Sequence, residues 1–254
     1  CTDLAGNTMP EKTIEGIIID TRNPEIVFNL SELYISPNGD GVRDFSVLTF
    51  GQNDPEGLLE WKITMADASS DSIDGNVLYS GTEPGIFEAV FDGKDSAGNA
   101  VPDGKYNIGF IGIYDNGARI TRNGLLYIDR TAPSVSVDIA NRIFSPGNTD
   151  GKGNAEIKFK SDKIVTWNGS IQDAGGASVI EVSDSDTTSL IVWDGRNSAG
   201  NEMPDGDYFL SAVFTDMAGN STEISGEKIT IRRNAGSAEI LVIPGAVRRS
   251  EGKD

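Results

Sequence analysis

The chain has 254 residues, a formal charge of −18, one cysteine and no histidine. That length suits two domains of roughly 100 residues each. The missing histidine removes Ser-His-Asp triads, the usual zinc sites and the commonest general base, and the acidic field repels nucleic acid and anionic lipid. No run approaches the roughly 18 apolar residues of a membrane helix, so no membrane insertion is expected within the chain. A single cysteine leaves no internal disulfide, and the fold must stand on its core.

Helix signals are scarce. Thirty Gly and ten Pro, with many Asp-Gly and Asn-Gly pairs, punctuate short apolar runs, the pattern of an all-β chain. Residues 1–23 read as the C-terminal strands of a preceding partial repeat. Cys1 at the first position raises the reading of a lipid-carrying N-terminus. However, residues 1–7 align with Phe214–Asn220, which puts Cys1 inside a strand and the start of the chain inside a domain.

A first full unit is expected over 24–131 and a second over 132–234. In the first, Ile26 and Phe28 alternate, then Leu33-Tyr34-Ile35 leads into Ser36-Pro37-Asn38-Gly39-Asp40-Gly41. In the second, Val135 and Val137 alternate, and Ile143-Phe144-Ser145-Pro146 follows at the same distance. Strands are expected over Phe45–Phe50 and Ala155–Phe159, each followed by a strand bearing a Trp (Trp61, Trp167). The cleanest period-two pattern comes late in each unit: Tyr106, Ile108 and Phe110 in one, Tyr208, Leu210, Ala212 and Phe214 in the other. Thr131-Ala132-Pro133 reads as a short joint, because proline cannot donate into a central ladder. Residues 235–254 resemble the first strand of a following partial repeat.

The organising signal is a sixteen-residue stretch present twice, Phe91–Tyr106 and Trp193–Tyr208, offset by 102 positions. Each copy opens on an aromatic and Asp-Gly, carries Ser-Ala-Gly-Asn in the middle and closes on Pro-Asp-Gly-x-Tyr. A repeat of this kind settles architecture before function. In Pro-Asp-Gly, proline presets φ, Asp takes the second central position and Gly is expected to accept a positive φ. The tyrosine returns to the core with its hydroxyl near the rim. Around seven short strands per unit, with turns every 8–12 residues, predict tandem immunoglobulin-like antiparallel β-sandwiches.

The repeated pattern resembles the FlgD-type bacterial immunoglobulin-like domain of hook-capping and secreted surface proteins. The segment Ser36–Asp44 is similar to the opening of C-terminal surface and gliding-motility modules. The resemblance implies a bacterial, secreted or cell-surface setting, and it specifies fold more than function.

Calcium is the candidate cofactor. With Gly41 at the sixth position of an EF-hand-like loop, Asn38, Asp40 and Asp44 fall at the third, fifth and ninth, Ser36 at the first, and Val47 replaces the bidentate Glu of the twelfth. A weaker copy places Asn148, Asp150 and Asn154 around Gly151. The competing reading is an Asx-stabilised turn that needs no metal. The carboxylate pairs Asp92 with Asp103 and Asp194 with Asp205 could in principle serve glycoside hydrolysis, yet both sit in the repeated turns, where a structural role is expected. Trp61, Trp167 and Trp193 are expected in the core. Three Asn-x-Ser/Thr matches, at Asn29, Asn168 and Asn220, carry little weight by themselves.

The expected function is therefore non-enzymatic: a structural or adhesive stalk segment, stiffened by calcium if the loops bind it. The expected partner is a protein or glycan surface ligand, with self-association through the incomplete terminal repeats. Two alternatives are an accessory region of a surface hydrolase and a hook-cap-like subunit of an extracellular assembly.

Overall fold

Alternation of apolar and polar residues runs through many of the strands below, with the apolar set turned to a core between two layers. The computed structural model describes residues 4–8, 24–52, 56–69 and 71–233. The expected partial repeats, 1–23 and 235–254, therefore lie almost wholly outside the described residues. The chain divides into two compact units, Cys1–Arg130 and Thr131–Asp254.

The first unit holds β1 (Ile26–Leu30), β2 (Tyr34–Ile35), β3 (Ser46–Gln52), β4 (Leu58–Asp67), β5 (Asn76–Gly81), β6 (Gly85–Phe91), β7 (Gly104–Tyr114) and β8 (Arg119–Ile128). One sheet runs β1-β3-β6 and the other β2-β8-β7-β4-β5. Neighbours pair antiparallel, except that β2 lies parallel to β8 through Tyr34↔Tyr127 and Ile35↔Ile128. Chain order crosses repeatedly between the layers, the arrangement of an immunoglobulin-like sandwich. Between the sheets Phe50, Trp61 and Phe87 cluster with ring centroids 5.2–6.0 Å apart, beside fully buried Ile63, Ile108 and Leu126. The segment after β4 folds back over the outer face of its own sheet. There Thr64 Oγ1 donates to the Ile73 carbonyl at 2.5 Å and Asn107 Nδ2 to the Ser72 carbonyl at 3.2 Å.

The second unit repeats the plan with fewer, longer elements: β9 (Val135–Ala140), β10 (Ile143–Phe144), β11 (Ala155–Asp173), β12 (Ser178–Trp193), β13 (Gly206–Asp216) and β14 (Ser221–Ile231). This corrects the expectation of seven short strands. The first half of β11 pairs with β9 and with the end of β12; its second half pairs with β13 and the start of β12, with a register shift between Lys160 and Val165. Each long strand thus serves both layers. Composition explains the difference. The first unit interrupts the same two corners with Gly57 and with Pro84 and Gly85, whereas Ser161–Ile164 and Asp186–Thr188 contain neither proline nor glycine. As in the first unit, β10 lies parallel to β14.

The period-two set Tyr208, Leu210, Ala212 and Phe214 is buried as expected, and so are all three tryptophans. Phe159, Trp167 and Phe214 form a three-ring cluster at 4.9–5.6 Å, and Trp193 meets Tyr208 edge-on at 5.0 Å. Truncating any one of these rings to Ala would cost about 3–5 kcal/mol.

Candidate functional site

One five-residue turn recurs four times among the described residues. It spans Asp95–Asn99, Asp173–Ala177, Asn197–Asn201 and Asp216–Asn220. In each, the first N–H donates to the fifth carbonyl at 2.9–3.0 Å and the fourth N–H to the first carbonyl at 2.8–3.1 Å. The first side chain's Oδ1 then accepts the third and fifth N–H groups, as Asp95 does from Ala97 (2.9 Å) and Asn99 (2.8 Å). Asn197 does the same from Ala199 and Asn201. The fourth residue is glycine with φ between 80° and 92°, a conformation open to Gly at little cost. The N–H of Asn99, chief among its donors, holds the Asp95 carboxyl below the usual carboxylate range.

The glycine of Pro-Asp-Gly departs from expectation. Gly104 and Gly206 open β7 and β13 and are not among the positive-φ glycines; the left-handed residues of the repeat are Gly93 (φ 77°), Gly98, Gly195 (φ 81°) and Gly200. At Gly93 an added Cβ would stand 2.4 Å from Pro37 Cγ, and at Gly195 2.7 Å from Pro146 Cγ. The Asp-Gly that opens each copy is therefore required by the proline of the Ser-Pro loop packed on it.

The closing Pro-Asp-Gly-x-Tyr does two jobs. Tyr106 Oη donates to the Pro102 carbonyl at 2.9 Å and Tyr208 Oη to the Pro204 carbonyl at 2.8 Å, a tyrosine corner at the start of the penultimate strand. Burial pushes both phenols up in pKa. The aspartate between them clamps the residue that leaves the last strand. Asp103 accepts the Arg130 N–H (2.9 Å) and Nη1 (2.5 Å), and Asp205 accepts the Arg233 N–H and Nη1, both at 2.9 Å. Arg130 also reaches the carbonyls of Val101 (3.0 Å) and Pro37 (3.3 Å). The Arg233 N–H is the main cause holding the Asp205 carboxyl low.

These arginines were missed from sequence. The signal was present: an Arg stands 27 and 28 positions after the Pro-Asp-Gly aspartate in the two units. The carboxylates considered as pairs are thereby separated in role: Asp92 takes Lys94 at 2.6 Å and Asp194 takes Arg196, while Asp103 and Asp205 hold the clamps.

The loop proposed for calcium brings Asn38, Asp40 and Asp44 together, but around its own amides. Asp44 Oδ1 accepts N–H from Asn38 (3.1 Å) and Gly39 (2.7 Å), and Oδ2 from Gly41 (2.8 Å). Asp40 Oδ1 accepts from Val42 and its Oδ2 from Asn38 Nδ2, while Asn38 Oδ1 accepts from the Asp40 N–H. Every side-chain oxygen of the three is engaged. The Gly39 and Gly41 amides, in that order, hold the Asp44 carboxyl below its ordinary range. A calcium ion takes six to eight oxygens, and each side-chain oxygen of the three already accepts at least one N–H. In the second copy Asn148 Oδ1 accepts from the Asp150 N–H and Asp150 Oδ1 from the Lys152 N–H, both at 3.2 Å. Asn154 directly precedes β11 without joining that pattern. Both loops close through the same backbone bond, Ser36 N–H to the Arg43 carbonyl and Ser145 N–H to the Lys152 carbonyl.

No family model and no curated protein sequence matches the chain. Among solved structures it is similar to fibronectin(III)-like modules of Clostridium thermocellum CbhA (13% identity, 82% of this chain and 94% of that one, TM-score 0.40). It is also similar to a tetra-tandem repeat in the extending region of a large adhesion protein (14%, 85% and 51%, 0.37) and to a bacterial ice-binding adhesin (13%, 84% and 65%, 0.39). The chain thus spans about half of that adhesion-protein repeat. The assignment as immunoglobulin-like sandwiches stands on the strand order and register above.

Proposed function

We propose that the chain is a non-enzymatic, load-bearing spacer of an extracellular bacterial surface protein, built from FlgD-type immunoglobulin-like modules. The observation that supports this most directly is the parallel pair joining the early and final strands of each unit. In β2–β8, Tyr127 N–H donates to the Leu33 carbonyl (2.8 Å) and Asp129 N–H to the Ile35 carbonyl (3.0 Å). In β10–β14, Thr230 N–H donates to the Arg142 carbonyl (2.7 Å) and Arg232 N–H to the Phe144 carbonyl (2.9 Å).

Tension applied to the two ends of a unit draws such strands past each other. The inter-strand bonds then lie across the load and share it, whereas an antiparallel hairpin pulled at its open end loses them one at a time. The Asp103–Arg130 and Asp205–Arg233 clamps fasten the outgoing chain just beyond each pair. The motif resemblance supports the surface setting, and the consumption of the repeated carboxylates in turns and clamps supports a structural role over a catalytic one.

Single-molecule pulling on the full chain tests the reading. Asp205→Ala is expected to lower the rupture force of one unit and Asp103→Ala that of the other. Rupture forces indifferent to both substitutions would remove the mechanical argument.

A further inference from the structure

Most sheet edges of the two units carry a device against pairing with another chain. Strands β2 and β10 are two residues long. Strand β5 meets β4 across a bulge between Ile63 and Thr64. Strand β1 is packed from the side, with Phe28 and Leu30 lying over Gly124 of β8. Strand β6 exposes Glu88 at its centre and β9 exposes Asp138. In the first half of β12, Asp184 and Asp186 turn back onto the next N–H, those of Ser185 (2.8 Å) and Thr187 (2.5 Å).

The last stretch of β12 has none of these. Thr188 to Trp193 contains no charge, proline or glycine. It pairs in unbroken register with β11, from Thr188↔Lys160 to Trp193↔Ala155, and ends the sheet order, so its other side meets no described strand. Leu190 and Val192 stand 55% and 52% exposed on the outer face.

Charge distinguishes this patch further. Across the register, Asp138 and Lys158 lie in line with Leu190, Ser136 and Lys160 with Thr188, and Ala140 and Glu156 with Val192. Two lysines balance two carboxylates there, on a chain whose net charge is −18. Two copies repel wherever their acidic surfaces face each other, and least where the local sum is zero. Such an edge offers a row of backbone donors and acceptors to an antiparallel strand. A twofold axis at Leu190 would set Leu190 against itself and Thr188 against Val192 of the second copy, uniting apolar and hydroxyl-methyl groups.

We propose that two copies of this chain associate through the Thr188–Val192 edge of β12, joining their sheets across a twofold axis. Sedimentation equilibrium of the full 254-residue chain, from micromolar to millimolar concentration, is expected to show a monomer–dimer equilibrium that tightens with salt, because screening relieves the mutual repulsion. Leu190→Lys places two ammonium groups side by side at the axis and should raise the dissociation constant about tenfold or more. Val192→Lys should act in the same direction. Because both side chains are exposed, the melting temperature of each dilute variant should match the parent. Amide exchange over Thr188–Val192 should slow as concentration rises. A chain that stays monomeric throughout, a dimer unaffected by both substitutions, or one that weakens with salt would each overturn the assignment.

Discussion

Replacing Tyr208 with Phe isolates one hydrogen bond in the repeated motif. The ring stays, so the edge-on contact with Trp193 at 5.0 Å is kept, and the side chain was already buried, with the residue 3% exposed. What is lost is the 2.8 Å bond to the Pro204 carbonyl. A net hydrogen bond of this kind is worth about 1 kcal/mol. For a unit of this size that corresponds to roughly 4–8 °C in the melting temperature. Differential scanning calorimetry of the full chain reads the change. The second unit's transition should fall, while Tyr106→Phe lowers the first unit's and leaves the second in place.

The same bond predicts an alkaline signature. Burial raises the Tyr208 phenol above its ordinary value of 10.0. A group raised on folding contributes its stability below the unfolded pKa and loses it as pH climbs through the folded one. The parent should therefore destabilise above about pH 10 more steeply than Tyr208→Phe. A variant that melts with the parent, with an identical alkaline limb, would refute the tyrosine-corner argument.

Asp95→Asn should be tolerated, since Asn197 already fills that place in the second unit with the same acceptor bonds, whereas Asp95→Ala should lower the first unit's melting temperature. Because the Asp95 carboxyl is lowered from 3.8, its contribution is present above that value and lost as pH falls through the folded pKa; acid titration of Asp95→Asn should show a shallower loss than the parent. Asp44→Ala should destabilise the first unit with or without metal, and millimolar calcium should give neither heat in a titration nor a shift in melting temperature. A calcium-dependent rise abolished by Asp44→Ala would reverse that conclusion. Lys163→Met strips the 3.2 Å partner from Asp216, whose side chain is 2% exposed, and should cost about 1–2 kcal/mol by chemical denaturation, less than a fully buried pair because the lysine keeps some solvent and Asp216 keeps its amide donors.

Much of this molecule is legible in one dimension because its determinants are local. Period-two apolar spacing marked β7 and β13, and the repeat marked corresponding turns in the two units. Proline and glycine content decided whether a corner interrupts a strand: Pro84-Gly85 ends β5 before β6, while Asp186–Thr188 lets β12 run through. Those features depend on backbone dihedrals and on side chains a few positions apart.

Other features were set only when distant segments met. Asp103 and Arg130 are joined because closing the sheet brings the start of β7 beside the end of β8. Gly93 must be glycine because Pro37, far off in sequence, packs against it. The oxygens of Asn38, Asp40 and Asp44 have the composition of a cation loop, but composition does not say which way a carboxylate points. In the folded loop most of them point at the loop's own backbone amides. Sequence alone thus determined that two sandwiches of one plan would form and where the turns they share would fall. Tertiary structure decided which aspartates clamp, which glycines are obligatory and which edge is left open, because each depends on contacts that exist only after the sheets have closed.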